Sequence, residues 1–267
     1  MNRTIGFIGT GNMGSAIIGG VVKSQMVTPG NIFVYDKNIK VAEETGKIYG
    51  VKCVNLKEVC SADIIFLAVK PNVIYGVINE IKDYIQPNKV IVSIAAGQSI
   101  ERLEKAFSIT GLSVVRVMPN TPALVGEGMS AVSFNQYAES DETAKDDIIS
   151  ILNCVGKTEI VTESLMDAVT GVSGSSPAYV FMLIEAMADA AVLGGMPRKQ
   201  AYTFAAQAVL GSAKMVFETE KHPGELKDMV CSPSGTTIEA VKVLEEKGFR
   251  SAVIDAISAC IDKSKNI

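Results

Sequence analysis

The sequence predicts an α/β chain: a mostly β-α alternating domain over residues 1–160, built on a parallel sheet, and an all-helical domain over residues 161–267. Three observations predict it. Short β-branched runs recur through the first part with helix-length segments between them. A glycine-rich turn separates the first strand from the first helix. After about Val161 the strand signals stop and alanine- and methionine-rich helical stretches take over.

The strands are expected at Thr4–Ile8, Asn31–Tyr35, Ile64–Val69, Val90–Ile94, Val114–Met118 and Met129–Phe134. Runs that are apolar on both faces suit a sheet covered by helices on each side. Between them, helical periodicity marks Asn12–Lys23, Ile39–Tyr49, Val73–Ile85 and Ser99–Phe107. In the second part, Ser176–Gly194 ends at a Gly194-Gly195 cap, and Pro197 opens a helix reaching about Glu218. Two more helices follow the Ser232–Thr236 loop, with Gly248 between them. Met182, Met187, Met196 and Met215 suit the core of a helical subdomain, whose apolar faces a second copy could cover. The boundary is placed at 158–163, a polar break from Thr158-Glu159 to Thr162-Glu163.

Composition removes several function classes. With 267 residues, 48% hydrophobic and 20% charged, the chain can bury a sizeable core, so a disordered reading falls away. Net charge is −4 with no basic run, which argues against a nucleic-acid partner. Cys53, Cys60, Cys154, Cys231 and Cys260 form no C-x-x-C pair, and His222 is the single histidine, so no metal site is expected. The longest charge-free stretches, Thr4–Val22 and Ala168–Ile184, are interrupted by glycine and serine and are expected not to span a membrane. The chain starts straight into a strand with no signal-peptide pattern, so a reducing cytoplasm is the expected compartment.

The strongest chemical signal is Gly9-Thr10-Gly11-Asn12-Met13-Gly14, after a strand and opening a helix. Gly9 permits the tight turn, Gly11 lets backbone approach a pyrophosphate, and Gly14 lets helix and strand pack closely. The helix start then offers free N–H groups to phosphate. This is the fingerprint of a Rossmann dinucleotide-binding domain. Asp36 closes the second strand, where a carboxylate accepts hydrogen bonds from the adenosine ribose. It would repel a 2′-phosphate and favour NAD, whereas Lys37, Asn38 and Lys40 could favour NADP; the sequence leaves both cofactors open. Lys70-Pro71 and Ala95-Ala96-Gly97 fall at further strand ends, where such sheets bind ligands.

Several further motifs follow in order: Ala68-Val69-Lys70-Pro71, Met118-Pro119-Asn120-Thr121-Pro122, Asp167-Ala168-Val169-Thr170-Gly171 and Pro177-Ala178-Tyr179. His222-Pro223-Gly224, Leu226-Lys227-Asp228, Ser232–Thr237 and Gly248-Phe249-Arg250 complete the series. Together with Gly9–Gly14, and along nearly the whole chain, these resemble the pyrroline-5-carboxylate reductase family. The resemblance implies reduction of the C=N bond of 1-pyrroline-5-carboxylate by NAD(P)H, giving L-proline in the last step of its biosynthesis. It implies a C-terminal helical dimerisation domain, active sites using both chains of a homodimer, and, in several members, a decamer of five dimers. By position it adds Asn55, Ala68, Val69, Lys70, Pro71, Ala95, Ala96 and Asn120 to the cofactor site, and Glu163, Ser232, Ser234, Gly235, Thr236 and Thr237 to the substrate site. Two departures stand out: Ser234 and Ser176 occupy positions where the family has glycine, and a serine forced to positive φ there would be strained.

The substrate this resemblance implies would be a five-membered cyclic imine carrying a carboxylate. The hydroxyls of Ser232 and Thr236, beside free N–H groups at the start of a helix near Ile238, suit that anion, although the same pattern also makes an ordinary helix cap. Thr237 is placed to hydrogen-bond the ring nitrogen and is the expected catalytic residue. His222 reads as a turn residue between helices rather than an acid, and Cys231 as packing. A β-hydroxyacid dehydrogenase has a similar first turn, but it needs a lysine early in the second domain, and residues 158–197 contain no Lys, Arg or His. A nucleotide-sensing module without turnover would leave the hydroxyl-rich second-domain loop without a purpose.

Overall fold

The computed structural model describes residues 3–266. Internal contacts divide the chain into two compact units: the residues up to Ser175 joined by those from Cys260 onward, and Ser176–Ala259. The sequence-based boundary at 160/161 lies earlier than this division.

The first unit is built on a sheet of eight strands among the described residues: β1 (Ile5–Ile8), β2 (Ile32–Tyr35), β3 (Lys52–Cys53), β4 (Ile64–Leu67), β5 (Val90–Ser93), β6 (Ser113–Met118), β7 (Gly128–Phe134) and β8 (Gly156–Ile160). Their order is β3-β2-β1-β4-β5-β6-β7-β8. The helices are α1 (Asn12–Lys23), α2 (Ile39–Tyr49), α3 (Leu56–Val59), α4 (Ile74–Ile81), α5 (Ile100–Phe107), α6 (Gln136–Ser140), α7 (Glu142–Asn153) and α8 (Met166–Val169). Alternate side chains of the central strands enter different cores. Ile5, Phe7, Ile64 and Phe66 pack with α1 and α7 on one face. Ile8, Ile65 and Leu67 pack with α4 and α5 on the other. Period-two alternation thus buries both faces, which explains why these strands read as continuous apolar runs. Phe7 and Phe66, opposite each other across β1 and β4, stack with ring centroids 4.8 Å apart.

The sheet departs from the all-parallel expectation at one place. β7 runs antiparallel to β6, because the segment between them is only the short turn Thr121–Val125, with no crossover helix to return the chain. β3 and β8 were not expected. β3 is two residues long, and β8 reads Gly-Lys-Thr-Glu-Ile with much of it exposed; both are edge strands, which pair on one side and carry little apolar signal. Burial pushes the Cys60 thiol up to about 11, consistent with a packing residue.

The second unit holds α9 (Ser176–Leu193), α10 (Arg198–Thr219), α11 (Pro223–Val230), α12 (Thr236–Glu246) and most of α13 (Phe249–Ser264). Gly195, at φ +91°, closes α9 as expected, and Pro197 caps α10. Glu163–Leu193 is helical over 31 residues with mean hydropathy 1.4, passing its glycines through a π-helical turn at Thr170–Gly174. By length and composition alone that run could cross a membrane. Within the single chain, Phe181, Met182, Leu193, Phe204 and Phe217 stay exposed on α9 and α10. So much exposed apolar surface marks an interface.

One buried polar residue braces the sheet. Asn135, 6% exposed, accepts the N–H groups of Val114 (3.1 Å) and Ala138 (2.9 Å) and donates to Leu112 O (2.9 Å) and Glu104 Oε1 (2.7 Å). It thereby caps α6 and ties β6 to α5. Asn135→Ala should cost about 2–4 kcal/mol, because buried partners lose their hydrogen bonds. Urea unfolding checks it; a midpoint like that of the wild type would show that the brace contributes nothing.

Candidate functional site

In the first unit the strand ends converge on a cleft of about 680 Å³ lined by Gly9, Gly11, Tyr35, Asp36, Ala68, Val69 and Lys70, with Val73, Gly76 and Val77 along one side of α4. The first turn is shaped by contact with the end of β4. Gly9 has φ +100°, and a Cβ there would lie 2.4 Å from the Ala68 carbonyl oxygen. A Cβ at Gly14 would meet Gly9 O at 2.5 Å. Gly11 differs: its φ is −67° and nothing lies within 4 Å of its would-be Cβ. Glycine is therefore forced by packing at Gly9 and Gly14, while at Gly11 the space is open. Gly11 caps α1 without a side-chain hydrogen bond, and the first turn of α1, with Asn12 and Met13, contains no acidic residue. The first N–H groups of such a helix lack intrahelical partners and carry positive potential, so the turn fits a pyrophosphate.

Thr10 and Asp36 form one assembly. Thr10, only 2% exposed, donates its N–H (2.9 Å) and its hydroxyl (3.3 Å) to Asp36 Oδ2, and the Asn38 N–H donates to Oδ1 (2.9 Å). The Thr10 donors thus face Asp36 and hold the turn to the end of β2. Lys70 is exposed on the cleft wall, and Pro71 starts the short turn leading to α4. Ala95 is buried and Ala96 half-buried at the end of β5. Neither of them lines the cleft described above.

Other expected site residues are already engaged. Asn55 caps α3, accepting the Glu58 N–H at 2.9 Å. Asn120 donates to Ser173 O and Oγ (both 3.2 Å) and accepts the Met129 N–H (2.8 Å). It braces the turn between β6 and β7. Glu163 Oε1 accepts the Ile100 N–H (2.8 Å) at the start of α5 and pairs with Arg116 (3.0 Å). Arg116 is 9% exposed on β6. Sequence reasoning missed it, since a lone arginine within an apolar run does not reveal a partner 47 positions away. It also missed the Tyr75 hydroxyl donating to buried Gln98 at 2.6 Å.

In the second unit, Ser232–Gly235 forms a turn running into α12. Gly235 N–H donates to Ser232 O at 3.0 Å, and a Cβ on Gly235 would lie 2.3 Å from Ser232 Oγ, so a larger residue there would turn the serine hydroxyl aside. Gly235 caps α12 without a side-chain hydrogen bond, leaving the N–H groups of Thr236, Thr237 and Ile238 at a bare helix start. Ser232, Ser234 and Thr236 are exposed and Thr237 is half-buried. Ser234 sits at φ +57°, the left-handed conformation in which a serine is strained. Ser176, the other departure, begins α9 and is not among the positive-φ residues. His222 caps α11, its Nδ1 accepting the Gly224 N–H at 3.0 Å, a local structural task. Among the described residues no three His, Cys, Asp or Glu side chains cluster as metal ligands would.

Comparison with known proteins agrees along the whole chain. A family model described as pyrroline-5-carboxylate reductase dimerisation matches residues 163–267, and one described as NADP oxidoreductase, coenzyme F420-dependent, matches residues 4–97. The pyrroline-5-carboxylate reductase of Escherichia coli (strain K12) is 53% identical over 269 residues, covering 100% of this chain and 99% of its own. The structure of a pyrroline-5-carboxylate reductase from Coxiella burnetii superposes with a TM-score of 0.92 at 32% identity, covering 100% of this chain and 98% of that one. That of Plasmodium falciparum pyrroline carboxylate reductase with NADP bound gives 0.87 at 33%, covering 99% and 98%.

The contrast between the glycines separates ligand binding from folding. Gly11→Ala should change unfolding free energy by no more than about 1 kcal/mol, since its φ suits alanine. It should weaken reduced-dinucleotide binding at least about 10-fold, because the methyl occupies the open side of the turn. Gly9→Ala should instead lower stability outright. Nicotinamide fluorescence titrations alongside chemical denaturation check both; unchanged affinity in Gly11→Ala would place the pyrophosphate elsewhere.

Proposed function

This chain belongs to the pyrroline-5-carboxylate reductase family, and on that footing we propose how its own residues carry out the reaction. The enzyme is an NAD(P)H-dependent oxidoreductase that reduces the C=N bond of 1-pyrroline-5-carboxylate to L-proline, the last step of proline biosynthesis. When bound, the reduced dinucleotide supplies the hydride; the protein supplies position, electrostatics and control of one proton.

The first turn of α1 takes the pyrophosphate on its backbone N–H groups, with Lys70 adding charge from the cleft wall. Ala95 and Ala96, at the end of β5, are small enough to admit the nicotinamide. Asn55 and Asn120 enter this reading through the segments they hold in place, since their side chains are engaged internally.

The substrate carboxylate sits on the bare N–H groups at the start of α12, supplemented by the hydroxyls of Ser232 and Thr236. That helix start, uncapped and preceded by a hydroxyl-bearing turn, is the observation that carries the assignment. Ser234 and Gly235 shape the turn. Thr237 holds the ring nitrogen through its hydroxyl. It stabilises the protonated imine, whose carbon is then a better hydride acceptor, and it keeps hold of the N–H as the amine forms. Glu163 is assigned to the substrate by its place in the family pattern, one of its oxygens being held by Arg116 and the Ile100 N–H.

The protein is a homo-oligomer. The exposed apolar side chains of α9 and α10 are taken to be covered by a second copy in a soluble cytoplasmic homodimer, with the decamer as its further assembly, rather than by lipid or nucleic acid. The active site is then completed by both chains.

Mixing the protein with NADH or NADPH and 1-pyrroline-5-carboxylate should consume reduced-nicotinamide absorbance and yield L-proline. Thr237→Ala should lower kcat/KM roughly 10-fold or more, the usual scale for a lost proton-handling group. Steady-state kinetics matching the wild type would remove Thr237 from the mechanism.

A further inference from the structure

NADH and NADPH differ by one phosphate on the adenosine 2′-oxygen, so the choice between them is made where the adenosine ribose lands. In a fold with this first turn, that place is the end of the second strand. Here it is Asp36, immediately after β2 and lining the same cleft as Gly9 and Gly11.

The informative feature is how Asp36 is held. Its carboxylate is gripped from both flanks: Thr10 N–H and hydroxyl bind Oδ2, and Asn38 N–H binds Oδ1. An ionised carboxylate offers about four acceptor positions, so three are filled and one, on Oδ1, is left for a hydroxyl donor. Three consequences follow. The carboxylate cannot swing aside to admit a phosphate without breaking hydrogen bonds that fix the buried Thr10 and the glycine turn. The Asn38 N–H, the cap position of α2 that could otherwise face a phosphate, is spent on Asp36. The remaining lone pair matches a ribose hydroxyl, a donor that the 2′-phosphate removes.

Opposing groups are present. Lys37 lines the cleft and Lys40 lies in the first turn of α2, but both are exposed and hold their charge on flexible, solvated stems. A screened, mobile cation offsets little of the repulsion from a carboxylate fixed against the ribose. We propose that this enzyme selects NADH over NADPH, and that Asp36 makes the selection by accepting one ribose hydroxyl and turning away a 2′-phosphate. The proposal rests on the reading that the cleft binds the dinucleotide.

Direct binding tests it without turnover. Titrations followed by nicotinamide fluorescence should give a wild-type Kd for NADH at least about 10-fold below that for NADPH, with the gap narrowing as ionic strength rises. Asp36→Asn removes the charge while keeping an acceptor for Thr10, and should narrow the NADH:NADPH ratio at least about 10-fold, chiefly through tighter NADPH binding. Calorimetry with ADP and adenosine 2′,5′-bisphosphate should show the wild type favouring ADP, and it decides the matter if the variant does not fold. Wild-type protein binding NADPH as tightly as NADH, or a folded Asp36→Asn with an unchanged ratio, would overturn the proposal. Failure of either dinucleotide to bind at all would sink the cleft reading itself, and the selectivity with it.

Discussion

The functional architecture depends on how closely the first turn lies against the end of the neighbouring strand. Gly9 passes the Ala68 carbonyl at a distance no side chain tolerates, and Gly14 passes Gly9 just as closely. This double contact fixes the start of α1 against the end of β4, beside the cleft that Gly9 and Gly11 line. Asp36 then anchors the same turn from the β2 side through Thr10. A phosphate site made of backbone needs such support, because main-chain N–H groups bind an anion well only when the protein holds them in place beforehand.

The second unit solves a related problem differently. The substrate site we propose there is also a bare helix start, but the turn before α12 carries hydroxyls rather than glycine alone, and Ser234 is held in the left-handed conformation. Strain at a single residue of that turn persists because its surroundings hold it: the Gly235 N–H is bonded back to Ser232 O, and α12 continues from it without a break. In the function proposed above the two helix starts divide the work: one would receive the dinucleotide's phosphates, and the other would receive the substrate's carboxylate and present Thr237 to the reacting nitrogen.

Much of this was legible in the sequence because the relevant signals are local. The central strands are buried on both faces and announce themselves as apolar runs; the glycine turn has its meaning in six consecutive residues. What was not legible depends on partners distant in the chain or on the absence of a signal. β3 and β8 are short or polar edge strands with nothing to distinguish them from loops. The reversal of β7 follows from a connection too short for a crossover, a matter of spatial arrangement rather than composition. Asp36 stands out in the sequence as an acid closing the second strand, but its triple grip by Thr10 and Asn38 does not. Glu163 was assigned to the substrate from its place in the family pattern, while its ion pair with buried Arg116 emerges only in three dimensions.

The central claim is spatial: a reduced ring carried by the glycine turn must meet an imine carbon held by the Thr237 turn. A crystal structure of the assembled protein with oxidised dinucleotide and L-proline tests it most directly. The account predicts pyrophosphate oxygens within about 3 Å of the N–H groups opening α1, and the proline carboxylate on those opening α12. It also predicts the proline nitrogen on the Thr237 hydroxyl, with the adjacent ring carbon facing the nicotinamide. Proline seated away from the 232–237 turn, or with its nitrogen facing away from Thr237, would contradict it.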